Sequence, residues 1–413
     1  MRITIKDMKK SKTMRDLSIF SFGQVLSQFF SLFVLFYVPR TLGAEDYGQY
    51  QVVINYIMMF KLLTFTGLNK VNIRNIAQAE WNEQINNTLS SSLFLRLVMS
   101  IVSVIISIVL TVFTPYSDFV VQGICLFAFF LVLFAIDDHI NSVLVGLRKI
   151  LLVTKLNLLK SFLLSALTIA SVYFRFGVLS LLTVYLFVQI VVVVSAMIVL
   201  RVNSNYRFSL YRDLSSLEIK SALRFSTIDL FNLLSTRVDL FMLSLLTSPS
   251  NLAVYSIASS MVRKGLIVRR AVSQVLFPKY AELKEKITFN QLSMHSLLMG
   301  AGASVISLAI CLIFPLVIRR FLGEEYVSAI SIIQVLSFSL ILQYMVVPLS
   351  ASLETQGYEK DVVWIGLFRS VFNIFLNYIL FDQYGLLGIA YSTILIWVFN
   401  LLIGLIRAKK RNR

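Results

Sequence analysis

The sequence predicts an all-α integral membrane protein of about twelve transmembrane helices, set in two six-helix lobes related by a pseudo-two-fold axis along the membrane normal around a central cavity. Three observations predict it. Hydrophobic residues make up 57% of the 413 and charged residues only 14%. About a dozen apolar runs of bilayer length follow one another with short polar joins. The two halves of the chain share weak internal similarity.

Composition settles the class. A soluble domain carries about a quarter charged residues, and the mean hydropathy here is +0.80. With a span needing roughly 20 apolar residues, little chain is left for a water-exposed catalytic module. The runs are Leu17 to Val38, Tyr50 to Leu68, Thr88 to Phe113, Val120 to Leu147, Leu151 to Phe174 and Val178 to Leu200. The second set is Phe225 to Thr247, Leu252 to Pro278, Gln291 to Ile318, Tyr326 to Leu349, Val362 to Phe381 and Leu386 to Ile406. The first run follows Lys9, Lys10, Lys12 and Arg15 and is too long for a cleaved leader, so it is expected to stay as an anchor.

The net charge of +17 reflects topology rather than a nucleic-acid partner. With a cytoplasmic N-terminus, 25 basic residues fall on inner segments and only Arg40, Arg175, Arg319 and Arg320 on outer loops. Both termini are therefore expected in the cytoplasm. Cys125 and Cys311 each sit alone in an apolar run, which suits core packing and gives no metal or disulfide spacing.

The lobes are expected at 1–205 and 206–413. Short hairpins ending at Tyr50 and Tyr255 lie 205 residues apart, and the pairs Gly146/Lys149 and Gly357/Lys360 recur at 211. An even number of spans per half makes such repeats parallel, and transporters commonly bind substrate between halves of this kind.

Charge at bilayer depth costs several kcal/mol unless it meets protein, water or a partner. On the eighth span Ser256, Ser259, Arg263, Arg270 and Gln274 share one helix face, with Lys264 and Arg269 off it. On the seventh, Asp229, Asn232, Ser235, Thr236 and Asp239 cover a second polar arc. Lys61 sits eleven residues after Tyr50, close to the depth that the repeat gives Arg263 and Lys264. Such cationic walls suit an anionic ligand, because Arg offers paired donors to phosphate oxygens and Lys a compact charge. Arg96, Arg237 and Arg369 extend the set, and the substrate-binding candidates are Arg263, Arg270, Lys61, Lys264, Arg237 and Arg96. The same residues also fit a purely structural reading, with Arg237 paired to Asp229 or Asp239. Asp137 and Asp138 precede His139 on the fourth span; adjacent carboxylates repel, which suits proton or sodium coupling, whereas a site near the inner interface would simply meet water. Asp137, Asp138, Asp229 and Asp239 are the ion-coupling candidates. No metal or organic cofactor is expected. Pro315 and Pro348 permit kinks.

Several stretches resemble a known family. They are Arg40-Thr41-Leu42-Gly43-Ala44-Glu45-Asp46-Tyr47-Gly48, Thr66-Gly67-Leu68, Gly146-Leu147-Arg148-Lys149 and Phe321-Leu322-Gly323-Glu324-Glu325-Tyr326. Arg237-Val238-Asp239, Val254-Tyr255-Ser256-Ile257-Ala258, Leu276-Phe277-Pro278 and Tyr384-Gly385-Leu386-Leu387-Gly388-Ile389-Ala390 complete the set. Their order and spacing resemble the Wzx-type flippases of the multidrug/oligosaccharidyl-lipid/polysaccharide exporter superfamily, although Ala253 stands where the repeated loop often carries Gly. The resemblance implies transfer of an undecaprenyl-pyrophosphate-linked O-antigen or capsule repeat unit from the cytoplasmic to the periplasmic leaflet of the bacterial inner membrane by alternating access. It also implies membrane lipids, a glycan polymerase and a chain-length regulator as partners, and no nucleic acid. Rival readings are a drug/cation antiporter of the same fold, which needs an acidic cavity, a membrane polymerase or ligase of lipid-linked glycans, and a channel or scaffold. With only His139 and His295, the chain shows no nucleophilic triad or metal-ligand spacing, so it is not expected to be an enzyme.

Overall fold

Where lipid offers no hydrogen bonds, an apolar chain must satisfy its own backbone, and helices do so within one segment. A computed structural model describes residues 5–78, 83–204, 206–207, 216–269, 272–273, 280, 288–355 and 359–411, with side chains at all of these except 5–21, 216–217, 228, 232, 235, 354, 359–360, 362–363 and 411. Every regular element among the described residues is helical. Nine helices among them are long and apolar enough to cross a membrane. The protein is a multi-pass membrane protein.

The chain divides into two compact units, Met1–Leu42 with Val52–Leu230, and Gly43–Gln51 with Phe231–Arg413. The division differs from the boundary expected at 205/206, beside which residues 205 and 208–215 lie outside the description.

The first unit begins with α1, Ile5–Phe60, whose long register is interrupted at Gly43 (φ 81°). That left-handed value is open to glycine at no steric cost, and it breaks the 56-residue helix in two. There follow α2 (Leu68–Gln78), α3 (Glu83–Thr111), α4 (Asp118–Phe127), α5 (Phe130–Gly146), α6 (Ile150–Tyr173) and α7 (Val178–Asn203). A core of Ile76, Leu89, Ile140, Val143, Leu144, Val153, Ala196 and Leu200 ties α2, α3, α5, α6 and α7 together. Chain Ser216–Leu246 forms α8, whose first half belongs to this unit.

The second unit holds the rest of α8, then α9 (Pro249–Lys264), α10 (Phe289–Val317), α11 (Ala329–Thr355), α12 (Glu359–Tyr384) and α13 (Leu386–Arg411). Ser248 caps α9 by accepting from the Asn251 amide, and Thr288 and Gln291 form a capping box at α10. Pro315 and Pro348 lie inside α10 and α11. Cys125 and Cys311 are free thiols in half-buried positions. Two of the stretches behind the family resemblance meet in this unit: the Ala44 amide donates to Glu325 Oε2 at 2.7 Å.

Candidate functional site

In the first unit the site is built around a broken helix. After Phe60 the chain tightens into a 3₁₀ turn, Lys61–Thr64, then takes a left-handed step at Phe65 (φ 61°) before resuming as α2. Gly67 makes this break possible, because a Cβ there would lie 2.1 Å from the Ala222 carbonyl oxygen of α8. Its amide donates to Ser226 Oγ at 3.1 Å. The break swings Lys61 Nζ over the Phe134 ring at 3.8 Å, a cation–π geometry.

Just beyond it, the start of α2 gathers polar partners. Thr66 Oγ1 and Lys70 Nζ reach the two oxygens of Asp229, at 3.3 and 3.0 Å. Asn69 donates to Asp138 at 2.6 Å and accepts from Arg96 at 2.6 Å. Arg96, wholly buried on α3, closes the triangle with a 3.1 Å ion pair to Asp138. Asp137, one residue earlier on α5, faces the other way. It accepts from Gln189 on α7 and from Asn141, both at 3.0 Å, and lies 3.7 Å from Lys160 Nζ on α6. Buried His139 approaches Asn72 at 3.4 Å, and Asn72 donates to Ser142. The adjacent carboxylates that the sequence left open between coupling and solvent are thus each held inside the unit by their own cation.

The second unit arranges its charges differently. On α9 the Arg263 guanidinium donates to Ser259 Oγ at 3.0 Å, one turn earlier, and lies within electrostatic reach of Arg237, Asp239, Tyr47 and Tyr255. Lys264 follows it in the last turn. Arg270 and Gln274 lie outside the described residues, as do the side chains of Asn232 and Ser235. On α8 Asp239 accepts from Asn377 Nδ2 at 2.9 Å and Thr393 Oγ1 at 3.3 Å, with the Asn373 amide beside it and Arg263 within electrostatic reach. Ser392 in turn bonds Asn377. Asn373 Oδ1 is buried with no hydrogen-bond partner among the described residues. A carboxylate, a hydroxyl and side-chain amides on three helices form a small polar site of the kind that takes up a proton or a monovalent cation. No cluster of three or more His, Cys, Asp or Glu suited to a metal ion occurs among the described residues.

The structural alternative paired Arg237 with Asp229 or Asp239; Asp229 takes Lys70 at 3.0 Å. The sequence reading did not find Asn373, Asn377 and Thr393. Its signal was present: Ser370, Asn373 and Asn377 recur at helical spacing on one face of an apolar run.

With this geometry established, residues 13–284 match the family described as polysaccharide biosynthesis protein. The chain belongs to that family. A member of this family, it is 29% identical over 157 residues to an uncharacterized membrane protein of Methanocaldococcus jannaschii, and the match spans 37% of that relative's length. Among solved structures it is similar to the lipid II flippase MurJ in an inward closed conformation, with a TM-score of 0.77 at 14% identity over 96% of this chain and 87% of that one. An inward-facing MATE multidrug-resistance transporter of the MOP superfamily gives 0.70 at 17% identity, over 92% and 95%. A MOP superfamily transporter from Pyrococcus furiosus, described as having a binding pocket of reversed polarity, gives 0.63 at 16%, over 96% and 95%. The chain therefore has the fold of these MOP superfamily structures.

Proposed function

We propose that the protein is a flippase that carries polyisoprenyl-pyrophosphate-linked oligosaccharide, an O-antigen or capsule repeat unit, from the cytoplasmic to the periplasmic leaflet of the inner membrane by alternating access. The observation that carries this reading is Arg263, a half-buried cation on α9 held by a hydroxyl and close to a second guanidinium, in a chain of the polysaccharide biosynthesis family. A phosphate diester or pyrophosphate meets two guanidiniums as a fork of paired donors. The likeness to a lipid II flippase adds a carrier of a lipid-linked saccharide with the same fold. Arg270, Lys264 and Arg237 serve the same anion in this reading, Lys61 is the first unit's own anion-binding candidate, and Arg96 positions Asn69 and Asp138 from inside that unit.

Only contacts that differ between conformations can drive net movement. Asp239 supplies the coupling: a sodium ion or proton enters its site among the amides and hydroxyl, while Asp137, Asp138 and Asp229 remain tied to cations. Both termini are cytoplasmic, and the exported units pass to a glycan polymerase and its chain-length regulator.

The MATE likeness favours a second reading, drug/cation antiport. An acidic cavity would serve it, yet in-span cations outnumber the four in-span carboxylates. The deciding experiment reconstitutes the protein in vesicles with a lipid-linked oligosaccharide and follows its transfer to the far leaflet. Arg263→Gln is expected to insert normally and lose most transfer. Full transfer by that variant, or extrusion of a cationic dye in place of the lipid, overturns the reading.

A further inference from the structure

We infer that Tyr344 is a positioning residue for the helix that carries Arg263: its hydroxyl is wedged into the break at Gly265 and fixes the angle between the helical pieces on either side. The inference rests on the flippase reading and deepens it. Arg263 and Lys264 close α9 before the break, and Arg269, over the Trp397 ring at 5.5 Å, lies in the helical segment 266–269 after it. At the break the Gly265 amide reaches back only three residues, to Val262 O at 3.0 Å. In an unbroken α-helix the Gly265 carbonyl would accept from the Arg269 amide. Here the buried Tyr344 hydroxyl, on α11, donates to that carbonyl at 2.6 Å, and the Arg269 backbone hydrogen-bonds the same hydroxyl. One oxygen therefore stands at both ends of a single helical link, the arrangement by which an inserted side chain bends a helix.

The residues around the hydroxyl make room for it. A Cβ at position 265 would come within 2.9 Å of Leu340 Cδ1 and 3.0 Å of Ile310 Cδ1, so a bare glycine lets α10 and α11 close on the break. Leu340 and Tyr344 are one turn apart on α11 and press on the same point. Pro348, one turn further on, has no amide to give the Tyr344 carbonyl. Each helix is thus interrupted where the tyrosine joins them, and the bend of one is tied to the other through a single hydroxyl. In the flippase reading the anion meets cations of this helix, and the bend sets their offset from one another.

Tyr344→Phe removes the inserted oxygen and keeps the ring that fills the space. In the full-length protein in nanodiscs, isotope labels on the glycine carbonyl and the leucine amide mark the Gly265–Leu266 bond in NMR spectra, and Gly265→Ala assigns its resonance by deleting it. Loss of the short phenol bond is expected to move that carbonyl resonance upfield. In vesicles, Tyr344→Phe should raise the lipid-linked oligosaccharide concentration for half-maximal transfer by about three- to tenfold, the worth of one hydrogen bond, and change the maximal rate less. Binding of polyprenyl pyrophosphate in nanodiscs should weaken by the same factor, but by less than about twofold in an Arg263→Gln background. A tyrosine that only holds the fold together would act equally in both backgrounds. An unmoved resonance, an unchanged half-saturation or equal losses in the two backgrounds overturn the assignment. If Tyr344→Phe does not insert, Gly265→Ala, which crowds the same break, must raise the half-saturation, and an unchanged value overturns the assignment. The two readings separate cleanly: transfer by the native protein with an unmoved resonance sinks the tyrosine's role alone, and a moved resonance without native transfer sinks the flippase reading alone.

Discussion

The two units treat buried charge in opposite ways. In the first, Asp137, Asp138 and Asp229 each lie against a cation, Lys160, Arg96 and Lys70. In the second, Asp239 sits among amides and hydroxyls, and arginines rest on a hydroxyl and an indole. A salt bridge that excludes water holds helices in one arrangement, since opening it strands a charge. A buried carboxylate held by amide and hydroxyl donors, with no salt bridge of its own, can exchange those donors for an incoming proton or cation. Under the proposed function the contrast separates a scaffold from a coupling and substrate site within one chain.

The comparison breaks most easily at Arg96. Arg96→Ala strands Asp138 and is expected to destabilise the protein by about 3–5 kcal/mol, read as a large drop in Tm by thermal scanning in detergent; adding Asp138→Ala should recover part of the loss. Next comes Gly67→Ala, which drives a methyl into the Ala222 carbonyl and is expected to cost about 1–3 kcal/mol, with proteolysis of the α1–α2 break as the check. Lys70→Ala should cost no more than about 1 kcal/mol, because the Lys70 side chain is 44% exposed and solvent screens its pair. Asp239→Asn should change basal Tm least of all. In the native protein, sodium in place of choline is expected to raise Tm, by up to about 2.7 kcal/mol of stabilisation at a hundredfold excess over Kd, and Asp239→Asn should erase that response. A sodium response that survives in the variant would place coupling elsewhere and dissolve the contrast between the units.

Helix content was legible in the sequence because burial in lipid demands long apolar runs, and runs such as Thr88 to Phe113, Val178 to Leu200 and Leu386 to Ile406 recur as helices, whereas Leu17 to Val38 and Tyr50 to Leu68 fall in a single helix Ile5–Phe60 and Val120 to Leu147 is divided between two. The break at Lys61–Gly67 was not legible. Its residues Leu62, Leu63 and Phe65 continue the apolar run, and only contact with α8 shows why the helix must stop there. The four in-span carboxylates were likewise readable as rare charges at depth, whereas their partners depend on tertiary packing. Nothing in local spacing links Asp138 to Arg96, 42 residues away, or Asp229 to Lys70, 159 away. The Asp239 cage lies between these cases, since its amides mark one face of α12 but only the fold brings α8 and α13 to them.

The corner at Gly43 has a consequence for dissecting the molecule. Residues Gly43–Gln51 belong to the second unit although the chain on both sides of them belongs to the first. A C-terminal fragment begun anywhere after residue 51 would leave the Glu325 carboxylate without the Ala44 amide and Ser250 without Glu45. Gene splitting or lobe exchange between relatives must therefore transplant that nine-residue insert along with the later sequence, or it will deliver a unit missing a piece of its own wall.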